Sequence, residues 1–257
     1  MKPHFIIIGA QKAGTTAAIR NLSLHPNISV FRGVTEYGQK EVEFFNQHWE
    51  RGIGWYESHF PPSQNLVGEK TAELFHRTIC HRRMFETNPG FKLILLLRNP
   101  VERAYSQWKM AALWKKDETE QFGEVVARGI EALSDSRARN AFYTCSATGR
   151  SPWREGYILK GMYAEQLRSL LQWFPSRSIY IAVSERLRRH PEIEYQRLLA
   201  FLEVEGRPLD TRDHFLSPPA PPMPDHIVAQ LTTVYRGPND DLFSLLGQEI
   251  PEWSSKR

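Results

Sequence analysis

Near the N-terminus the apolar run Phe5-Ile6-Ile7-Ile8 breaks into Gly9-Ala10-Gln11-Lys12-Ala13-Gly14 and reopens at Thr15-Thr16 with helical spacing. A buried strand that delivers the chain into a glycine-bounded loop, followed at once by a helix, is the layout of a phosphate cradle. The glycines free the backbone, and the unsatisfied amides of the helix N-terminus face an anion. Gly9 and Gly14 have the spacing of a nucleotide-hydrolase loop, but Thr15 stands where such a loop places its lysine. The lysine of this loop, Lys12, lies inside it instead. The pattern points to a phosphate-bearing ligand and away from the γ-phosphate of Mg-ATP.

Further apolar runs of strand length occur at Leu66–Gly68, Phe91–Leu97 and Ile179–Val183, with a weaker one at Ile28–Phe31. Helical spacing fills the stretches between them, which predicts βαβ units and a parallel sheet covered on both faces. The expected fold is α/β: a P-loop-like three-layer arrangement with a central parallel β-sheet flanked by helices. At 257 residues the chain can build a large core, and with no linker-like shift in composition it reads as one domain over residues 1–257.

Asn99 and Pro100 have the residue types of an N-cap and a first helical position, predicting a helix to about Trp114. Helices are also expected over Gln121–Leu133, Leu159–Phe174, two pieces of Ser184–Val204 split at His190-Pro191, and Asp225–Leu246. Ser134–Tyr157 reads as a polar loop or irregular lobe, and the proline-rich Ser217–Pro224 as an extended spacer.

The net charge of +4 is spread along the chain, so no basic block points to nucleic acid. No apolar run reaches the ~18–20 residues that span a bilayer, and the four residues before the first strand show no charged n-region or cleavage-like site, so a soluble protein that is not exported is expected. Two cysteines, Cys80 and Cys145, are too few for a disulfide framework, so a reduced, cytoplasmic setting is expected. His76 and Cys80 would share a helix face, but two ligands without partners do not make a metal site, and none is expected.

Four segments in order resemble the sulfotransferases that use 3′-phosphoadenosine-5′-phosphosulfate (PAPS), above all the branch with heparan-sulfate and related bacterial enzymes. They are Ile8–Thr16, Lys40-Glu41-Val42-Glu43-Phe44-Phe45-Asn46, Gly68-Glu69-Lys70-Thr71-Ala72 and Leu97-Arg98-Asn99-Pro100-Val101-Glu102-Arg103-Ala104-Tyr105-Ser106. A weaker echo closes the chain at Leu245–Trp253. The resemblance implies sulfuryl transfer from PAPS to a hydroxyl or amine of a glycan or small-molecule acceptor, without a metal. It implies that Gln11, Lys12, Ala13, Gly14, Thr15 and Thr16 hold the 5′-phosphosulfate end. Arg98 and Ser106 would hold the 3′-phosphate, Glu41 would act as general base, and Lys12 and Lys70 would assist at the transferring group.

The residues themselves leave plainer alternatives open. Glu41 would serve equally as a surface carboxylate beside Lys40 and Glu43, although Phe44-Phe45 argue that the segment packs inward. His48 is a second candidate base. Lys70 could pair with Glu69 or Glu73, and Arg98 could form an ordinary ion pair at a strand end. The heparan-type enzymes close a basic late loop over the cofactor, but Phe215–Pro222 here has no basic residue. Acceptor contacts are expected from loops at Gly33–Gln39, Gly52–Ser63 and Ser134–Tyr157, where Trp55, Tyr56, Phe60, Tyr143, Trp153 and Tyr157 would line a pocket or simply build core. The rival readings are a P-loop kinase or NTPase and a non-catalytic nucleotide-binding protein of the same fold.

Overall fold

The computed structural model describes residues 1–31, 41–60, 62–144, 156–208 and 220–254. Five parallel strands, β1 (Phe5–Gly9), β2 (Ile28–Val30), β3 (Leu66–Lys70), β4 (Lys92–Leu97) and β5 (Ile179–Val183), form one sheet in the order β2-β3-β1-β4-β5. Every residue of β1 is buried, and all but the first of β4. That is why these two runs read as unbroken apolar sequence rather than as an alternation.

From β1 the chain crosses through α1 (Thr15–Leu22) to β2 on one side, whereas β4 leads through the helical region beginning at α5 to β5 on the other. The carboxyl ends of β1 and β4 therefore lie at the point where the winding reverses, the place where open α/β sheets leave a crevice for ligands.

Between these strands and beyond them lie α2 (Phe44–Gln47), α3 (Gly52–Ser58), α4 (Thr78–Thr87), α5 (Pro100–Lys109), α6 (Phe122–Ser134), α7 (Ser136–Thr144), α8 (Gly156–Leu159), α9 (Tyr163–Leu171), α10 (Ser184–Arg189), α11 (Pro191–Phe201) and α12 (Asp225–Leu246). The Asn99 side chain accepts from the amides of Val101 and Glu102, so the predicted cap of α5 is present. The helix does not run on unchanged to Trp114: after Lys109 it widens into a π-turn over Met110–Lys115.

Three expected features are corrected. Ser134–Tyr157 is not wholly irregular, because Ser136–Thr144 forms α7 around the buried Phe142; residues 145–155, with Cys145 and Trp153, lie outside the described residues. Gly52–Ser58 is helical despite its two glycines, anchored by Tyr56, whose ring stacks on Phe44 at 4.6 Å. The helix expected from Leu159 begins at Tyr163, because a turn intervenes in which the Gly161 amide bonds to the Ile158 carbonyl.

Tyr56, Phe60 and Tyr157 are core residues rather than pocket lining. His76 precedes α4, is buried and stacks on Phe142, so it shares no helix face with Cys80. The buried Cys80 thiol points at the Phe45 carbonyl. Among the described residues no helix is long and apolar enough to cross a membrane.

Candidate active site

Gly14 caps α1 at φ 93°, a left-handed conformation that glycine adopts without the steric cost of a Cβ. No side chain caps this helix, so its first-turn amides, at Thr15 and Thr16, are left to a ligand or solvent. Lys12 also has positive φ, 73°, which is uncommon for a residue with a side chain. The loop is held in this shape from several sides. Arg98 Nη1 donates to the Lys12 carbonyl at 3.2 Å, the Ser184 hydroxyl donates to the Ala13 carbonyl, and the Ala10 amide donates to Leu96 at 2.7 Å.

Lys12 lies in a field of its own sign. Burial first, then Arg98, Arg103, Lys115 and Lys109, push its ammonium down to about 8. Its Nζ reaches Met110 Sδ at 3.4 Å, a soft contact. Arg103, fully buried, donates to Gln107 Oε1 at 2.8 Å and to the Tyr157 carbonyl. Cations gathered around a loop of backbone amides are arranged for an anion.

Arg98 follows β4 at the same edge. It reaches Glu102 at 3.5 Å, so the ion-pair alternative is partly realised. Its Nε, however, is buried with no hydrogen-bond partner, an orphaned donor that a phosphate oxygen would satisfy. Burial, followed by the nearby Arg188, lowers its pKa. Ser106, two turns along α5, is buried at 5% exposure.

Glu41 and Lys70 form a direct ion pair, 29 residues apart in sequence. Lys70 is therefore not paired with Glu69 or Glu73. Its Nζ also donates to Thr16 Oγ1 at 3.3 Å, and the Ala72 amide donates to Glu41 Oε2 at 3.2 Å. One ammonium thus joins the candidate base to the first turn of α1. Glu43 stands next to this pair in a left-handed conformation, φ 53°. Burial, and then the charges of Glu41 and Glu73, push its carboxyl up to about 7. His48, the second candidate base, stacks edge-on against Trp55 at 5.0 Å.

Gln11, expected at the 5′-phosphosulfate end, faces inward, and residues that sequence reasoning passed over (Lys160, Arg103 and Ser184) complete the surroundings of the loop. The Gln11 side chain turns to Glu73 and Lys160 rather than outward. Arg103 was visible only as one letter inside a motif, and Ser184 as the first residue of a helix. Nothing in their local sequence marks them; the fold brings them to the loop. Lys40 and the Gly33–Gln39 loop lie outside the described residues, as does most of Phe215–Pro222, the stretch that lacks the basic residues of the family's late loop. What is described of that strap, Ala220–Pro224, is tied to α5 by the Tyr105 hydroxyl, which donates to Pro221 at 2.5 Å. No cluster of three or more metal-ligating His, Cys, Asp or Glu occurs among the described residues.

Comparison with known proteins gives the family. The sulfotransferase domain family matches residues 2–216. A heparan sulfate N-deacetylase/N-sulfotransferase of Caenorhabditis elegans is 27% identical over 98% of this chain, and a human one, number 2, is 31% identical over 79%. The chain spans only 31% and 22% of the length of those two-function proteins. The membrane-associated sulfotransferase kil1 of Dictyostelium discoideum is 27% identical over 98% of this chain and 67% of its own length.

Among solved structures, a sulfotransferase from Alicyclobacillus acidocaldarius superposes with a TM-score of 0.79 at 25% identity, covering 99% of this chain and all of that one. The family match over most of the sequence and this superposition lead to one conclusion: the chain belongs to the sulfotransferase domain family.

Proposed function

We propose that the chain moves a sulfuryl group from PAPS to a hydroxyl or amine of a carbohydrate or a secondary metabolite such as a polyketide, releasing adenosine 3′,5′-bisphosphate. The observation that carries this reading is the placement of Lys70, which holds Glu41 with one face and the Thr16 hydroxyl with another. A base for the acceptor and a loop for the donor's phosphate thereby share one edge of the sheet. The names of the N-sulfotransferase relatives keep an amine acceptor in view beside a hydroxyl.

In this reading the amides and hydroxyls of Thr15 and Thr16, with Gly14 and Ala13 shaping the turn, bind the 5′-phosphate. Arg98, whose Nε lacks a partner, and Ser106 bind the 3′-phosphate. The donor supplies a sulfonate on a good leaving group, and the protein supplies position and charge. Glu41 accepts the acceptor's proton as its oxygen or nitrogen attacks sulfur. The bond from sulfur to the bridging oxygen breaks on the opposite side, leaving negative charge on that oxygen. Lys12 meets that charge from inside the loop, stabilisation placed where charge develops. Lys70, bonded to both Glu41 and the Thr16 hydroxyl, steadies the base and the transferring group. General-base help of this kind contributes ~10²–10⁴-fold.

A thermal-shift titration tests the reading. Adenosine 3′,5′-bisphosphate is expected to raise the melting temperature without Mg²⁺, and ATP to do little. A larger shift from Mg-ATP would overturn the donor assignment. A screen of sulfate transfer from PAPS to sugars, phenols and hydroxyacyl thioesters then identifies the acceptor.

A further inference from the structure

Beneath the loop lies a buried charged cluster to which the proposed chemistry gives no task. Lys160 is 3% exposed. Its Nζ donates to Gln11 Oε1 at 2.8 Å and to Glu73 Oε1 at 3.1 Å. Gln11 Nε2 in turn donates to Glu73 Oε1 at 3.2 Å, and Arg77 Nη2 donates to Glu73 Oε2 at 3.1 Å. Lysine offers only donors and a carboxylate only acceptors, so the Gln11 amide fits between them in one orientation; flipped, both of its contacts would be repulsive. The side chain adjacent to Lys12 is locked at both ends.

The lysine is carried there by a rigid turn. The Gly161 amide bonds to the Ile158 carbonyl at 2.9 Å, and the Tyr235 hydroxyl of α12 donates to the same carbonyl. A Cβ on Gly161 would lie 2.7 Å from that hydroxyl oxygen, so only glycine lets the turn sit this close to α12. Buried ion pairs seldom repay their desolvation better than an apolar group of the same volume would. A pair of this kind under a phosphate loop is better accounted for by what it orients than by stability.

We infer that Lys160, backed by Glu73, is a positioning residue for the 5′-phosphate loop and acts through the Gln11 side chain. Lys160 touches neither donor nor acceptor. It sets the direction of the loop from below, as Arg98 and Ser184 set it through the carbonyls of Lys12 and Ala13. The inference rests on the proposed use of this loop for the 5′ end of the donor.

The test uses ligands that each engage one end: adenosine 5′-phosphate and adenosine 3′-phosphate, titrated against adenosine 3′,5′-bisphosphate by competition calorimetry. In Lys160→Met, affinity for adenosine 5′-phosphate should fall about tenfold while that for adenosine 3′-phosphate stays within about twofold. Gln11→Leu, which leaves the Lys160–Glu73–Arg77 charges intact, should give the same selective loss, and the double variant no more than either single one. Equal loss of both ligands, no loss, or a double variant weakened by the product of the singles would overturn the inference. If Lys160→Met does not fold, Gln11→Leu alone decides: unchanged affinity for adenosine 5′-phosphate refutes a route through Gln11. Failure of the wild-type protein to bind either nucleotide is a different result, and it counts against the donor assignment instead.

Discussion

The cations packed around Lys12 make proton uptake a measurable consequence of donor binding. In the ligand-free protein its ammonium is pushed down from 10.5 to about 8, by burial first and by Arg98 and Arg103 next. At pH 9 only about a tenth of the molecules then carry the charge. A phosphate-bearing anion within a few ångströms reverses the balance and raises such a group by ~1–3 units. With a rise of about 2 units the bound form is mostly protonated at pH 9, so binding takes up roughly 0.8 proton. At pH 6 both forms are charged and this lysine contributes no uptake.

Calorimetry of adenosine 3′,5′-bisphosphate binding in buffers of different ionisation enthalpy reads the number directly. Lys12→Arg keeps the charge through this range, so uptake at pH 9 should disappear while binding persists. Zero uptake at pH 9 in the wild type, or the same uptake in Lys12→Arg, would refute the reasoning. The sign for folding follows from the same shift. The unfolded chain binds more protons than the folded one between about 8 and 10.5, so this group's contribution to stability rises with pH across that window.

Glu41→Gln should leave affinity for adenosine 3′,5′-bisphosphate nearly unchanged while turnover falls ~10²–10⁴-fold; calorimetry and a sulfate-transfer assay report the two halves, and normal turnover would remove Glu41 as the base. Arg98→Met deletes the donor whose Nε has no partner, and should weaken adenosine 3′,5′-bisphosphate about tenfold to a hundredfold with adenosine 5′-phosphate much less affected, as competition binding would show. Gly14→Ala forces a Cβ into φ 93° and should cost about 1–2 kcal/mol in urea denaturation as well as 5′-phosphate affinity; an unchanged midpoint would show that the loop relaxes.

What could be read from the sequence depended on whether the signal was local. The five strands were legible because buried parallel strands are apolar on both faces, and β5 fell on its expected residues, Ile179–Val183. The helix starting at Pro100 was legible because Asn99 caps it through contacts two and three residues away. Helix α3 was not, since its glycines argue against a helix and only the packing of Tyr56 against Phe44 overrides them.

In the candidate site, the loop and the carboxylate–lysine pair fell within motifs that the family resemblance marked. The Glu41–Lys70 contact itself was missed, because the plain expectation for a lysine beside Glu69 and near Glu73 is a local ion pair. Lys160 is 149 residues from Gln11, and no periodicity or spacing joins two positions so far apart. Its meeting with the loop is a property of the turn before α9 and of Tyr235 behind it.

In the proposed reading the dual hold of Lys70 would set an order of loading. An ammonium clasping a carboxylate favours its charged form, and so makes it a weaker acceptor of a proton from whatever alcohol or water drifts in. A doubly charged nucleotide settling on the helix start competes for that same ammonium and loosens its grip. On the proposed assignment of Glu41 as base, one side chain would then work as an interlock: the proton acceptor would be armed once the activated sulfate is seated, and an acceptor that entered first would find it engaged.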